Sequence, residues 1–229
     1  MTAPTTLETS TGDIQLEECR VTVGGREWAV LHTGALVTYD QEATFLSTRA
    51  GLIPYGVALW PSALALAHEI ATRPDAFRGR RVLELGAGIG LPGIVAAALG
   101  AHVVQTDRND GAVALCRLNG ERNRAPGIEY RLADWAEWTD PTKYDWIIGA
   151  DVLYAEDGHV PLRRILETSL APGGRVLAAD PFRGPSLRLL EALQAAGWGV
   201  SFTKWTVGEA AETRPVGVFE LTPPMAKEH

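Results

Sequence analysis

Acidic residues stand in or just beyond five short segments that read as strands: Glu84, Asp107, Asp134, Asp151 and Asp180. The first opens Glu84-Leu85-Gly86-Ala87-Gly88-Ile89-Gly90-Leu91-Pro92-Gly93, in which glycine recurs at 86, 88, 90 and 93. Backbone N–H groups in such a loop can face a ligand, and glycine lets the chain approach it closely. A nucleotide-type cofactor suits these residue types. A tight turn with no ligand suits the glycines alone, because the motif by itself is weak.

Gly88-x-Gly90-x-x-Gly93 matches the dinucleotide fingerprint, whereas Glu84-x-Gly86-x-Gly88-x-Gly90 matches the loop of enzymes that use S-adenosylmethionine (SAM). Asp107 follows Gly86 by 21 positions, near the offset of about 20 at which an acid meets ribose hydroxyls. That offset permits either cofactor. Asp134-Trp135 fits SAM better, with the acid accepting from an adenine amino group and the indole flanking the ring. Glu84 points the same way: a carboxylate beside phosphates would cost roughly 4 kcal/mol at an effective dielectric near 20. SAM carries no phosphate, and bears an ammonium and a sulfonium. The expected cofactor is SAM, released as S-adenosylhomocysteine, with no metal.

Positioning these residues requires an open α/β sheet, in which ligands bind beyond the carboxyl ends of the strands. Strands are expected at Val82–Leu85, His102–Thr106, Ile128–Leu132, Tyr144–Gly149 and Gly174–Ala179. Helices are expected over Ile94–Leu99, from Asn109-Asp110 to Arg122, near Val160–Leu170, and over Ser186–Ala196. Trp198–Val207 and Val216–Leu221 read as a final antiparallel pair at the sheet edge. Upstream, Pro61 can open a helix, leaving Trp60 at its mouth as either an apolar staple or a cofactor contact. Residues 1–13 read as a loose tail. Gln15–Val23 and Arg26–Leu31 flank Gly24-Gly25 as a hairpin, and Ala35–Tyr39 as a further short strand. The expected organisation is therefore a tail and β appendage at 1–52, packed on a cofactor-binding domain at 53–229.

Composition agrees with a globular α/β chain: 229 residues, 46% hydrophobic and 21% charged, with a formal net charge of -7. Basic residues form no extended run, which disfavours nucleic acid as a partner. No apolar run suffices to span a bilayer, and no basic-then-apolar leader opens the chain. Cys19 and Cys116 lie far apart without metal-ligand spacing and read as reduced thiols. A monomeric cytoplasmic protein is the expectation. No G-x-S-x-G elbow or Cys/His pair supports hydrolase chemistry.

Leu59-Trp60-Pro61, the Val82–Gly93 stretch, Thr106-Asp107, Asp134-Trp135 and Ala150-Asp151-Val152-Leu153-Tyr154 together resemble methyltransferase family 16. The resemblance covers roughly residues 30–220. It implies a seven-β-strand, Rossmann-like class I fold and an enzyme that methylates a nitrogen, commonly of a protein lysine. It further implies that Trp60, Glu84, Gly86, Ala87, Gly88, Gly90, Asp107, Asp134, Trp135 and Ala150 line the SAM pocket, while Asp151 and Tyr154 face the substrate. The Asp-x-x-Tyr spacing after the fourth strand is more specific than the glycines. Asp151 would capture and orient an amino group and Tyr154 would wall it. A small amine or heteroaromatic acceptor is the alternative; an NAD-dependent oxidoreductase and a non-catalytic binding module are more remote. His159, following Asp157-Gly158, reads as a helix start, and Asp180-Pro181-Phe182-Arg183 lies on the same rim as either a shaper of the substrate entrance or a turn; neither is assigned to the site.

Overall fold

The computed structural model describes residues 5–9, 12–34, 55–209 and 212–224. Strands β1 (Thr5–Thr9), β2 (Gly12–Val23) and β3 (Arg26–His32) form an antiparallel sheet in that order. There follow α1 (Pro61–Ala71), α2 (Pro74–Phe77), β4 (Arg81–Leu85), α3 (Leu91–Ala98), β5 (His102–Asp107), α4 (Asp110–Arg122) and β6 (Ile128–Leu132). The chain continues through β7 (Tyr144–Ala150), α5 (His159–Ser169), β8 (Leu170–Asp180), α6 (Gly184–Ala195), β9 (Gly199–Glu209) and β10 (Glu212–Thr222). Among the described residues no helix is long and apolar enough to cross a membrane.

The seven later strands make one sheet in the order β6-β5-β4-β7-β8-β10-β9. Strands β4 to β8 are parallel, and β10 pairs antiparallel with both β8 and β9. The final hairpin is thus an antiparallel pair, with β9 outermost. Alternation sorts the side chains to two faces. Val82, Val103, Ile148 and Leu177 meet α1, α3 and α4 in one apolar layer. Leu83, Leu85, Ile147 and Val176 meet α5 and α6 in the other. From β4 the chain steps outward to β5 and β6, then returns to β7 on the other side of β4. That reversal leaves a crevice at the carboxyl ends of β4 and β7, the usual ligand position in such sheets.

Two features depart from the sequence expectations. Residues 5–9 form β1, paired with β2 from Thr5↔Leu16 to Thr9↔Gly12, instead of a loose tail. Leu7 is its buried anchor, and one apolar residue among threonines carries too little signal to read as a strand. Strand β8 starts at Leu170, not Gly174, because a register shift between Tyr144 and Trp146 absorbs Pro172-Gly173-Gly174 inside the strand. The expected strand at Ala35–Tyr39 and the boundary at 52/53 lie outside the described residues.

The N-terminal sheet is joined to the core by two asparagines, Asn119 on α4 and Asn123 at its C-cap. Asn119 Oδ1 accepts the Leu31 N–H at 2.8 Å, and its Nδ2 donates to the Leu31 carbonyl at 3.1 Å. One turn on, Asn123 does the same to Ala29, at 3.1 and 2.7 Å. The spacing of four puts both amides on one helix face, where they supply the edge of β3 with the bonds of a missing strand.

Candidate active site

The loop after β4 is tied down at almost every residue. Ala87 N–H bonds the Thr106 carbonyl at 2.9 Å, and Gly88 N–H bonds Asp107 Oδ2 at 3.1 Å. The Cys116 thiol donates to the Gly88 carbonyl at 3.1 Å, Asn119 Nδ2 to that of Ile89 at 2.9 Å, and Gln105 Nε2 to that of Gly90 at 2.7 Å. Gly90 caps α3 in the left-handed region, at φ 80°. Gly88 has φ 57°, and a Cβ there would lie 2.9 Å from the carbonyl oxygen of Gly56, in the short turn Tyr55–Val57. The loop needs glycine at 88 for conformation and for space.

Glu84 supports this loop from beneath. Its side chain is 1% exposed, and Oε2 accepts Gly93 N–H at 3.1 Å and Gln105 Nε2 at 2.6 Å. Burial pushes its pKa up to about 8; the Gln105 and Gly93 bonds pull against that, and the Asp107 charge adds to it. The carboxyl faces the start of α3 beneath the loop and is occupied by Gly93 and Gln105. The electrostatic preference for SAM derived from Glu84 is corrected on that geometry: this residue shapes the loop from inside.

Asp107, 8% exposed at the end of β5, accepts Gly88 N–H and, through Oδ1, Asn109 N–H at 2.9 Å. Burial raises its pKa, opposed by those two backbone bonds. Each oxygen has a second lone pair to offer a ligand hydroxyl. Trp135 opens the turn Trp135–Glu137, which Arg164 of α5 fixes through the carbonyls of Trp135 and Ala136, both at 3.0 Å. The indole edge lies 3.7 Å from the Cβ position of Gly86, so the ring borders the glycine loop. Asp134 is exposed, and its Oδ1 caps that turn on Ala136 N–H at 2.8 Å.

Across the crevice, Ala150 ends β7 and Val152 Cγ1 lies 2.9 Å from the Gly86 Cβ position. Between them Asp151 holds a positive φ of 55°, uncommon outside glycine. Its carboxylate is paired with Arg183. Burial raises the Asp151 pKa, while the charge and hydrogen bond of Arg183 and the Ser62 hydroxyl lower it. Ser62 stands in the first turn of α1, which puts Trp60, the N-cap of that helix, at the same rim; the Trp60 side chain packs on Ala58. Tyr154 is 48% exposed, and the Arg183 guanidinium lies over its ring, 5.8 Å from the centroid.

Glycine loop, Asp107, Trp135 and Asp151 thus meet around the β4–β7 crevice. His159 starts α5, and its Nε2 meets the Leu153 carbonyl at 2.8 Å, steadying the turn that carries Tyr154. Asp180 is fully buried and serves the turn after β8, taking Arg183 N–H and Ser186 Oγ, both at 2.7 Å. Cavities of about 380 and 400 Å3 lie elsewhere, one between α5 and α6 and one between the hairpin and α4. The sequence reading gave no role to Gln105, Cys116, Asn119 or Arg183. Only Arg183 had a visible signal, its offset of three from Asp180.

Residues 47–184 match a family model described as lysine methyltransferase. Protein N-lysine methyltransferase METTL21A of Mus musculus is 39% identical over 120 residues, 48% of this chain and 55% of the relative. Histone-arginine methyltransferase METTL23 of Mus musculus is 32% identical over 108 residues, 44% of this chain and 43% of the relative. The chain spans about half the length of the curated relatives it matches. A solved DhpI–SAH complex has a TM-score of 0.55 at 23% identity, covering 80% of this chain and 93% of that one. It shares the fold.

Proposed function

The chain belongs to the lysine methyltransferase family, and from that premise we propose that it transfers a methyl group from SAM to the side-chain nitrogen of a protein lysine. The single observation that carries this reading is the meeting of Gly86 with Val152 and Trp135 at the β4–β7 crevice, which sets a glycine loop against the Asp151–Tyr154 turn. The residues present suit SAM: Asp107 has lone pairs for ribose hydroxyls, Trp135 borders the loop with Asp134 next to it in sequence, Ala150 ends β7, and Gly86, Ala87, Gly88 and Gly90 themselves carry no side chain larger than a methyl. Trp60 stands at the entrance. When bound, SAM supplies an electrophilic methyl, the N–C bond forming as the C–S bond breaks and its electron pair stays on sulfur.

What remains for the protein is positioning and deprotonation. A lysine of reference pKa near 10.4 is neutral in roughly one molecule in 2,500 at pH 7, a barrier of about 4.6 kcal/mol. Asp151 is too weak a base to remove that proton, and alone it would raise the amine pKa. Its role is to catch and orient the amino group, whose proton passes to water, while the exposed face of Tyr154 walls the cation.

Calorimetric titration with SAM and with NAD tests the cofactor, and incubation of labelled SAM with cell extract tests the acceptor class. SAM binding and label in the protein fraction are expected. NAD binding without SAM binding would reject the reading, and label confined to small molecules would replace the protein acceptor with a small amine.

A further inference from the structure

The Asp151 carboxylate does not stand alone on the rim. Arg183 pairs with it, lies 3.3 Å from Asp180 Oδ2 through the same nitrogen, and covers the Tyr154 ring. Asp180 is itself immobilised, with no exposure, by the N–H of Arg183 and the hydroxyl of Ser186. Arg183 is presented by Phe182, which holds φ at 63° and sets its ring edge-on to Phe202 and Phe219, each at 5.7 Å. Asp151 and Phe182 are two of the three non-glycine residues with positive φ among the described residues. Backbone in that region is sustained only by surrounding contacts, and it gathers where a side chain must be held in place.

We propose that Arg183 is a positioning residue for the acceptor nitrogen: it fixes the Asp151 carboxylate and offsets its charge, so that an amine docked there releases its proton at lower pH than beside Asp151 unpaired. This rests on the methyl-transfer reading above. Among the described residues, the charged and polar groups around the pair include Asp180 from the end of β8 and Tyr154 from the turn after β7, with the Ser62 hydroxyl of α1 near Asp151. With Arg183 the two acids carry a formal net charge of about -1, enough to draw a cationic side chain; without it they would carry about -2 and hold the amine protonated. A latch that substrate must displace would be held loosely, whereas Arg183 is tied at its backbone, its guanidinium and its neighbouring ring.

Two variants test this, Arg183→Gln and Arg183→Lys, each compared with the unaltered chain. Label transfer from SAM into extract protein is followed from about pH 6.5 to 9.5, SAM affinity by calorimetry, and the Asp151 carboxyl by carbon NMR. For Arg183→Gln, the acid limb of the rate profile is expected to move about one unit alkaline, giving roughly tenfold slower transfer near neutrality. SAM affinity should hold, and Asp151 should titrate higher. Arg183→Lys keeps the charge without the planar fork, and should return both titrations most of the way. An unmoved profile with transfer intact would overturn this assignment alone. So would Arg183→Gln outpacing the unaltered chain equally at every pH, the mark of a displaced latch. Should Arg183→Gln not fold, an Arg183→Lys profile moved as far as a full unit would count against the assignment. No transfer by the unaltered chain at any pH would overturn the methyl-transfer reading and this assignment with it.

Discussion

The carboxylate of Asp107 accepts the N–H of Gly88 at 3.1 Å, joining the end of β5 to the centre of the glycine loop. The two elements proposed to flank the cofactor ribose are therefore set against each other by one bond. Preorganisation of that kind lowers the ordering cost of binding.

Asp107→Ala should weaken SAM binding by roughly 1.5–3 kcal/mol, the range for hydrogen bonds to a charged group. Calorimetry measures it, with melting recorded alongside because the same change frees Gly88 and Asn109. Unchanged affinity would place the ribose elsewhere.

Gly88→Ala has a matched control in Gly79→Ala. Both glycines have positive φ, 57° and 71°, but a Cβ at 79 meets nothing within 4 Å whereas one at 88 strikes Gly56. Each variant should lose about 1 kcal/mol or somewhat more from backbone strain. Gly88→Ala alone should lose SAM affinity. Equal affinities would mean the loop does not border the cofactor.

Glu84→Gln keeps an acceptor for Gly93 and Gln105 and removes the titration. The folded carboxyl binds its proton more tightly than the unfolded one, so its contribution to stability is complete at acid pH and is lost as pH rises from about 4.5 to about 8. The variant should melt like the parent near pH 4 and increasingly above it toward pH 9. A gain of roughly 2–4 °C corresponds to 1 kcal/mol in a chain of this length. A constant offset across that range would show that Glu84 is ionised throughout.

Asp151→Asn should slow transfer by about tenfold or more while changing SAM affinity less than about twofold, and Tyr154→Phe should stay close to the parent. Equal losses in turnover and SAM affinity for Asp151→Asn would make it a cofactor residue.

Most of the parallel strands were legible as short apolar runs with an acid in or just beyond them, β6 (Ile-Glu-Tyr-Arg-Leu) being the exception in polarity, and the order of elements followed from alternation. The crevice was legible for the same reason, since strand ends converge whatever the loops do. Burial depth was not. Glu84 and Asp107 look alike in sequence, yet one points under α3 and the other toward the crevice, a difference set by strand register and by Gln105. The clamp of Asn119 and Asn123 on β3 pairs residues about 90 positions apart, and no local pattern announces it. Arg183 went unassigned for a related reason: Asp-x-x-Arg reads equally as a turn or as part of the entrance until the fold brings Asp151 beside it.

The most direct test of the central claim is mass spectrometry of the side chain that acquires label from SAM in extract, with Asp151→Asn run in parallel. Methyl on the Nζ of a protein lysine, strongly reduced in the variant, is the expected result. Methyl on arginine, on a small molecule, or equally abundant with and without Asp151 would contradict it.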